Sequence, residues 1–195
     1  IVVFSICVHE YSHAAMASRL GDDTAARSGH LTLNPLAQMG ISSLVMLGLF
    51  GIAWGAVPVD PFRLRGKKGA LVSFAGPASN FTLCLIFAGL AAVMEATPGR
   101  EAFPMISEFF FLGSAANGVL FLFNMLPVPM FDGWSVFSLF IPAMQRVSMQ
   151  QAQTFSWFFL MLVFMTKIGS FIWTAGLYIA GALMAVWGGL FGLIV

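Results

Sequence analysis

Charge is scarce in this chain. Only 9% of its 195 residues are Asp, Glu, Lys or Arg, against 59% hydrophobic residues and a mean hydropathy of +0.90. That balance excludes an ordinary soluble domain and describes a polytopic membrane protein. The formal net charge is +1 and no segment carries a long basic run, so nucleic acid is not expected as a partner. Cysteine is scarce too. Cys7 and Cys84 each sit inside an apolar run, where a free thiol behaves as a small hydrophobe; neither a disulfide framework nor a thiolate metal site is expected. The five tryptophans and twelve methionines read as lipid-facing and packing residues and point to no organic cofactor. No internal repeat is visible.

What remains is a series of apolar runs, at about 1–20, 36–57, 69–95, 105–126, 151–167 and 170–195. Each approaches the roughly 20 residues of a spanning helix. The expected fold is therefore all-α, with about six hydrophobic segments. The connections SRLGDDTAARSG, VPVDPFRLRGKK, EATPGREAFP and QRVSMQQAQ carry the Gly, Pro and charge of interfacial loops. Arg63, Arg65, Lys67 and Lys68 cluster in one loop, while Glu95, Glu101 and Glu108 accompany a lone Arg100 in the next, so the positive-inside rule sets the first toward the cytoplasm. Run 36–57 is interrupted by Gly40, Gly48, Gly51 and Gly55 and either spans or dips in and returns. Just before it, GHLTLN from Gly29 alternates apolar and polar residues, the pattern of a short strand. Such a strand at membrane depth must be covered by protein or line a wet cavity. The chain opens at Ile1, without a methionine and already inside an apolar run, so an upstream portion is expected to be missing; a cleaved signal would not carry the motif described next.

Two of the three histidines fall in that first run, in VHEYSHA from Val8 to Ala14. On a helix His9 and His13 are i and i+4 and leave the same face one turn apart. Glu10 follows His9 by about 100° and reaches the same side. This is the spacing by which two neutral imidazoles bind zinc while a neighbouring carboxylate, not itself a ligand, handles a proton. A pair of packed core histidines is the bland reading, but ionisable groups inside a bilayer are costly and usually functional. A catalytic zinc takes three protein ligands and keeps one position open. Position 19 is Arg19 rather than a third histidine, and no glutamate occurs between Glu10 and Glu95. His30, Asp22, Asp23 and Asp60 lie in polar connections, and the later glutamates in the outer loop. Asp132, in NMLPVPMFDGW, is left. Pro127 and Pro129 must end the helix arriving from residue 105, and a carboxylate at such a break is a plausible metal ligand. On its own, an Asp that merely caps the helix starting near Trp134 would be the favoured reading; the incomplete ligand set of the two histidines tips the balance to the metal.

HEYSH, AGPASN at 75–80 and NMLPVPMFDG at 124–133, in that order and spacing, resemble the three signatures of the site-2 protease family of intramembrane zinc metalloproteases. GHLTLNP and the PVDP loop are similar to its bacterial branch, and the resemblance covers nearly the whole chain, so residues 1–195 are expected to form one transmembrane protease domain. It implies one zinc on His9, His13 and Asp132, Glu10 as the catalytic acid/base, Asn124 as a nearby polar group, transmembrane proteins as substrates, and a bacterial cell membrane with the site reached from the cytoplasm. The branch pattern would place His and Asp soon after TLNP, where this chain has Gln38 and Gly40. The loop at 95–105 leaves no room for a PDZ-like or nucleotide-sensing domain. Asn124 either bonds a neighbouring helix or donates to the carbonyl oxygen that gains charge during attack, and Asn80 reads as a helix–helix contact that works with Gly76 and Pro77. His30 reads as a polar residue of the strand-like segment. Two other classes fit less of the sequence: an ion or metal transporter, which would show paired broken helices, and an inactive scaffold for transmembrane partners, which would not need Glu10.

Overall fold

The structure, a computed structural model, describes residues 1–192. All regular elements among them are helical. In chain order they are α1 (Val2–Arg19), α2 (Thr24–Arg27), α3 (Pro35–Gln38), α4 (Gly40–Phe50), α5 (Lys67–Glu95), α6 (Gly99–Ala102), α7 (Pro104–Asn124), α8 (Asp132–Phe137), a 3-10 turn (Pro142–Arg146), α9 (Met149–Met165) and α10 (Ile168–Leu190). Three of them, α5, α7 and α10, are long and apolar enough to cross a membrane. The final three residues of the expected run 170–195 lie outside the described residues.

Run 36–57 does not yield a crossing helix. Its helical part, α4, has 11 residues, about 17 Å at 1.5 Å per residue and well short of a hydrocarbon layer of about 30 Å. Residues 52–60 then continue without helix or strand. The strand expected from GHLTLN is also not formed; residues 31–32 are bends. The reason is local competition for the backbone. The buried Gln38 amide donates to the carbonyls of His30 (2.8 Å) and Thr32 (2.5 Å). Thr32 Oγ1 takes the Asn34 N–H, and the Asn34 side chain accepts from Leu36 N to open α3, with Pro35 in its first turn.

The chain divides into two compact units. The first comprises 1–79 and 124–157. In it one face of α1 is buried, along Ser5, His9, His13 and Ala17 with Ile6, Glu10 and Ala14 beside them, the i, i+4 pattern of a packed helix. Ile6, Cys7 and Met39 form one apolar cluster, with Val3, Leu44, Leu47 and Ala53 against it; Ala17, Leu64 and Val72 form another. The second unit, 80–123 and 158–195, packs through small residues such as Ala88, Ala91, Ala115 and Ala180, all fully buried, as close-packed helices in lipid require. Polar ties fix its register. Asn80 Nδ2 donates to Asn117 Oδ1 at 3.1 Å, Ser114 Oγ donates to the Cys84 carbonyl at 2.9 Å, and Trp187 Nε1 donates to the Leu85 carbonyl. Asn80 thus serves as the helix–helix contact that the sequence suggested.

Asp22 ties the turn after α1 to the loop before α5. It is fully buried; Oδ2 accepts the Asp60 N–H at 2.7 Å and Oδ1 accepts from the Thr24 hydroxyl and N–H. Burial alone would raise its pKa, but these bonds to the ionised form outweigh it and hold the carboxyl below its ordinary 3.8. A group with a depressed folded-state pKa adds stability above its unfolded value and loses it as pH falls through the folded one. Asp22→Asn is expected to cost about 1–3 kcal/mol at neutral pH. In thermal unfolding in detergent, the gap from wild type should close as the pH is taken below 3.8.

Candidate metal centre

The first unit brings three ligand-capable side chains together. His9 and His13 leave the buried face of α1 with ring centroids 4.6 Å apart and planes at 84°. Asp132 is the first residue of α8. Helix α7 ends at Asn124, ahead of Pro127, and turns closed by Val128 N to Leu126 O and by Phe131 N to Val128 O carry the chain to Asp132. The capping reading of Asp132 does not hold: Phe131 is the N-cap, with no side-chain cap bond. Asp132 Oδ2 instead lies 3.1 Å from His9 Nε2 and 3.3 Å from His13 Nε2. The two Nε2 atoms are 2.9 Å apart.

Protonation follows from the outer partner. His13 Nδ1 sits 2.7 Å from the Val72 carbonyl, which can only accept. Nδ1 therefore carries a proton, and in the neutral ring Nε2 presents its lone pair toward His9 and Asp132. Nitrogen lone pairs and a carboxylate oxygen converging at such distances repel unless a cation or protons lie among them. Tetrahedral zinc with bonds of about 2.0–2.1 Å sets its ligand atoms about 3.3 Å apart, close to the separations here. The donor set and spacing fit that ion.

Helix α5 closes this side of the site. A Cβ added at Gly76 would collide with Nε2 of both histidines, so only glycine lets the α5 backbone approach so closely. Pro77, within α5, has no N–H to offer the Ser73 carbonyl one turn earlier, and Ser73 lines the cavity. That cavity has a volume of ≈ 240 Å³ and is walled by His9, Glu10, His13, Asp132 and Asn124 together with residues of the 55–59 segment. Glu10 is buried and abuts Gly55, where a Cβ would strike its side chain.

All five residues singled out in the sequence, His9, Glu10, His13, Asn124 and Asp132, thus line one cavity. His30 does not; it is tied to Gln38. Sequence reasoning missed the Val72 carbonyl and Gly55. The first is a main-chain atom that any residue would supply. The second meets Glu10 across 45 positions with no periodicity to mark it.

Known proteins similar to this chain carry the same chemistry in their names. YwhC, a candidate zinc metalloprotease of Bacillus subtilis, is 35% identical over 178 residues, covering 88% of this chain and 81% of its own length. Rip2, a candidate zinc metalloprotease of Mycolicibacterium smegmatis, is 34% identical over 83% of the chain, and its Mycobacterium tuberculosis counterpart 31%. The chain spans 62–63% of the length of those Rip2 proteins. No family model and no solved structure matches it. A metalloprotease relative matched along most of both chains, together with the His/His/Asp cluster, defines the class. The chain belongs to the site-2 protease family of zinc metalloproteases.

If Gly76 is what admits α5 to the site, Gly76→Ala must displace both imidazoles. We expect zinc affinity, measured by competition with a chromogenic chelator, to fall by about 10–100-fold, the range seen when the surroundings of a metal ligand are disturbed. Ala70→Gly on the same helix should leave it unchanged.

Proposed function

We propose that this chain is an intramembrane metalloendopeptidase that binds one zinc through His9, His13 and Asp132 and cuts membrane-protein substrates within or near their transmembrane segments. The convergence of those three donors with Glu10 in one cavity carries the reading. Residues 1–195 act as a single protease domain of a multi-pass membrane protein, with the basic loop of Arg63, Arg65, Lys67 and Lys68 toward the cytoplasm. The cavity then draws its water from that side.

Zinc, when bound, supplies Lewis acidity that lowers the pKa of water toward about 7 and polarises a carbonyl. The protein's own groups do the rest. Val72 holds His13 in the tautomer that donates through Nε2, while Asp132 adds the negative charge that favours a dication. Glu10 takes the proton from the attacking water and returns it to the leaving amine. Asn124, at the end of α7 and on the cavity wall, donates its amide hydrogens to the oxygen that gains charge.

A helical substrate must unwind before attack, because its carbonyls are hydrogen-bonded and shielded. Residues 29–34 form no strand to which an unwound substrate could add. The better candidate is 55–59, where Gly55, Val57 and Val59 line the cavity with the two-residue period of an extended chain.

The test is co-expression of single-span membrane reporters with the wild type and with Glu10→Gln. Wild type is expected to cleave; Glu10→Gln should retain its zinc while losing at least about 100-fold in rate. Undiminished cleavage by Glu10→Gln removes the proposed base. Zinc retained in full with no cleavage by either chain favours a binding scaffold.

A further inference from the structure

We propose that Ser43 is a positioning residue for Glu10: its buried hydroxyl bonds both the N–H and the carbonyl of Trp54 and thereby holds the Gly55 backbone against the Glu10 side chain. The inference rests on Glu10 being the base of the reaction above.

Ser43 lies on α4 and is fully buried. Its Oγ donates to the Trp54 carbonyl at 2.7 Å and accepts the Trp54 N–H at 2.9 Å. One hydroxyl thus supplies both bonds that a neighbouring strand would give a residue in a sheet ladder. Two residues further on, the Ala56 N–H donates to the Gln38 carbonyl at 3.1 Å. The segment is therefore pinned on both sides of Gly55 while lying outside any helix or strand. Between the pins, Gly55 is close enough to Glu10 that a Cβ would overlap the Glu10 Cγ, Cδ and Oε1. A carboxylate in van der Waals contact with a fixed backbone has few rotamers open to it, so the pins set where the base points. Trp54 is substantially exposed, which makes packing of its ring an insufficient reason for a buried two-way clamp.

A general base is sensitive to small displacements, since misplacement by about 1 Å can cost about 100-fold in rate. With purified, zinc-loaded protein in detergent and a single-span reporter, Ser43→Ala is expected to lower kcat about 10-fold with KM and zinc content unchanged. Ser43→Thr, which keeps the hydroxyl, should recover most of that loss. An arm independent of proteolysis uses Glu10→Cys on a Cys7→Ala, Cys84→Ala background, stripped of metal by chelator. Its labelling by a water-soluble maleimide should accelerate about 5-fold when Ser43→Ala is added, because the loosened segment uncovers position 10. Should Ser43→Ala fail to fold, Ala56→Pro removes the second pin at an exposed position and should give the same two effects. Unchanged labelling, or a loss confined to thermal stability or to KM, overturns the proposal. A wild type that cleaves no reporter contradicts the protease reading instead, and the labelling arm still decides the role of Ser43.

Discussion

Three electron-pair donors, two imidazole nitrogens and a carboxylate oxygen, occupy a space a few ångström across inside a chain that is otherwise mostly apolar. With neither a cation nor protons among them, that arrangement is unfavourable: the donors repel, and their burial forfeits hydration. A divalent cation reverses the sign of the problem, because each donor then stabilises the same charge. Much of the first unit is arranged around this point. It explains why α1 buries the side that carries its ionisable groups, why α5 has glycine where it passes the histidines, and why the chain breaks at a pair of prolines just before Asp132.

The surroundings divide the work between side chains and main chain. The side chains that make chemistry are few. Backbone atoms do much of the positioning: the Val72 carbonyl selects the His13 tautomer, and the Gly55 backbone confines Glu10. This economy suits a membrane setting, where every further polar side chain would need a partner of its own. The polar side chains that are added, Gln38 and Ser43, are spent on backbone groups of segments that form no regular ladder.

How much of this could be read beforehand follows the range of the interactions. The i, i+4 histidines are a local pattern, legible because a helix turns every 3.6 residues. Asp132 was legible by exclusion, since carboxylates are so rare here that few could complete the set. The long apolar runs around α5, α7 and α10 announced themselves by length. The strand at 29–34 was misread because alternation of residue type does not reveal that Gln38 will claim its carbonyls. Run 36–57 was left between spanning and re-entry, and only its 11-residue helix decides against a crossing. Gly55 was invisible, being a contact between residues far apart in sequence whose sole mark is an absent side chain.

The central claim is that one metal ion sits among His9, His13 and Asp132. Zinc K-edge X-ray absorption on the purified membrane protein addresses it directly. The account predicts one zinc per chain with nitrogen and oxygen neighbours at about 2.0–2.2 Å, including two imidazoles and no sulfur, and loss of that signal in Asp132→Ala. A sulfur shell near 2.3 Å, or full occupancy and an unchanged spectrum in Asp132→Ala, would contradict it.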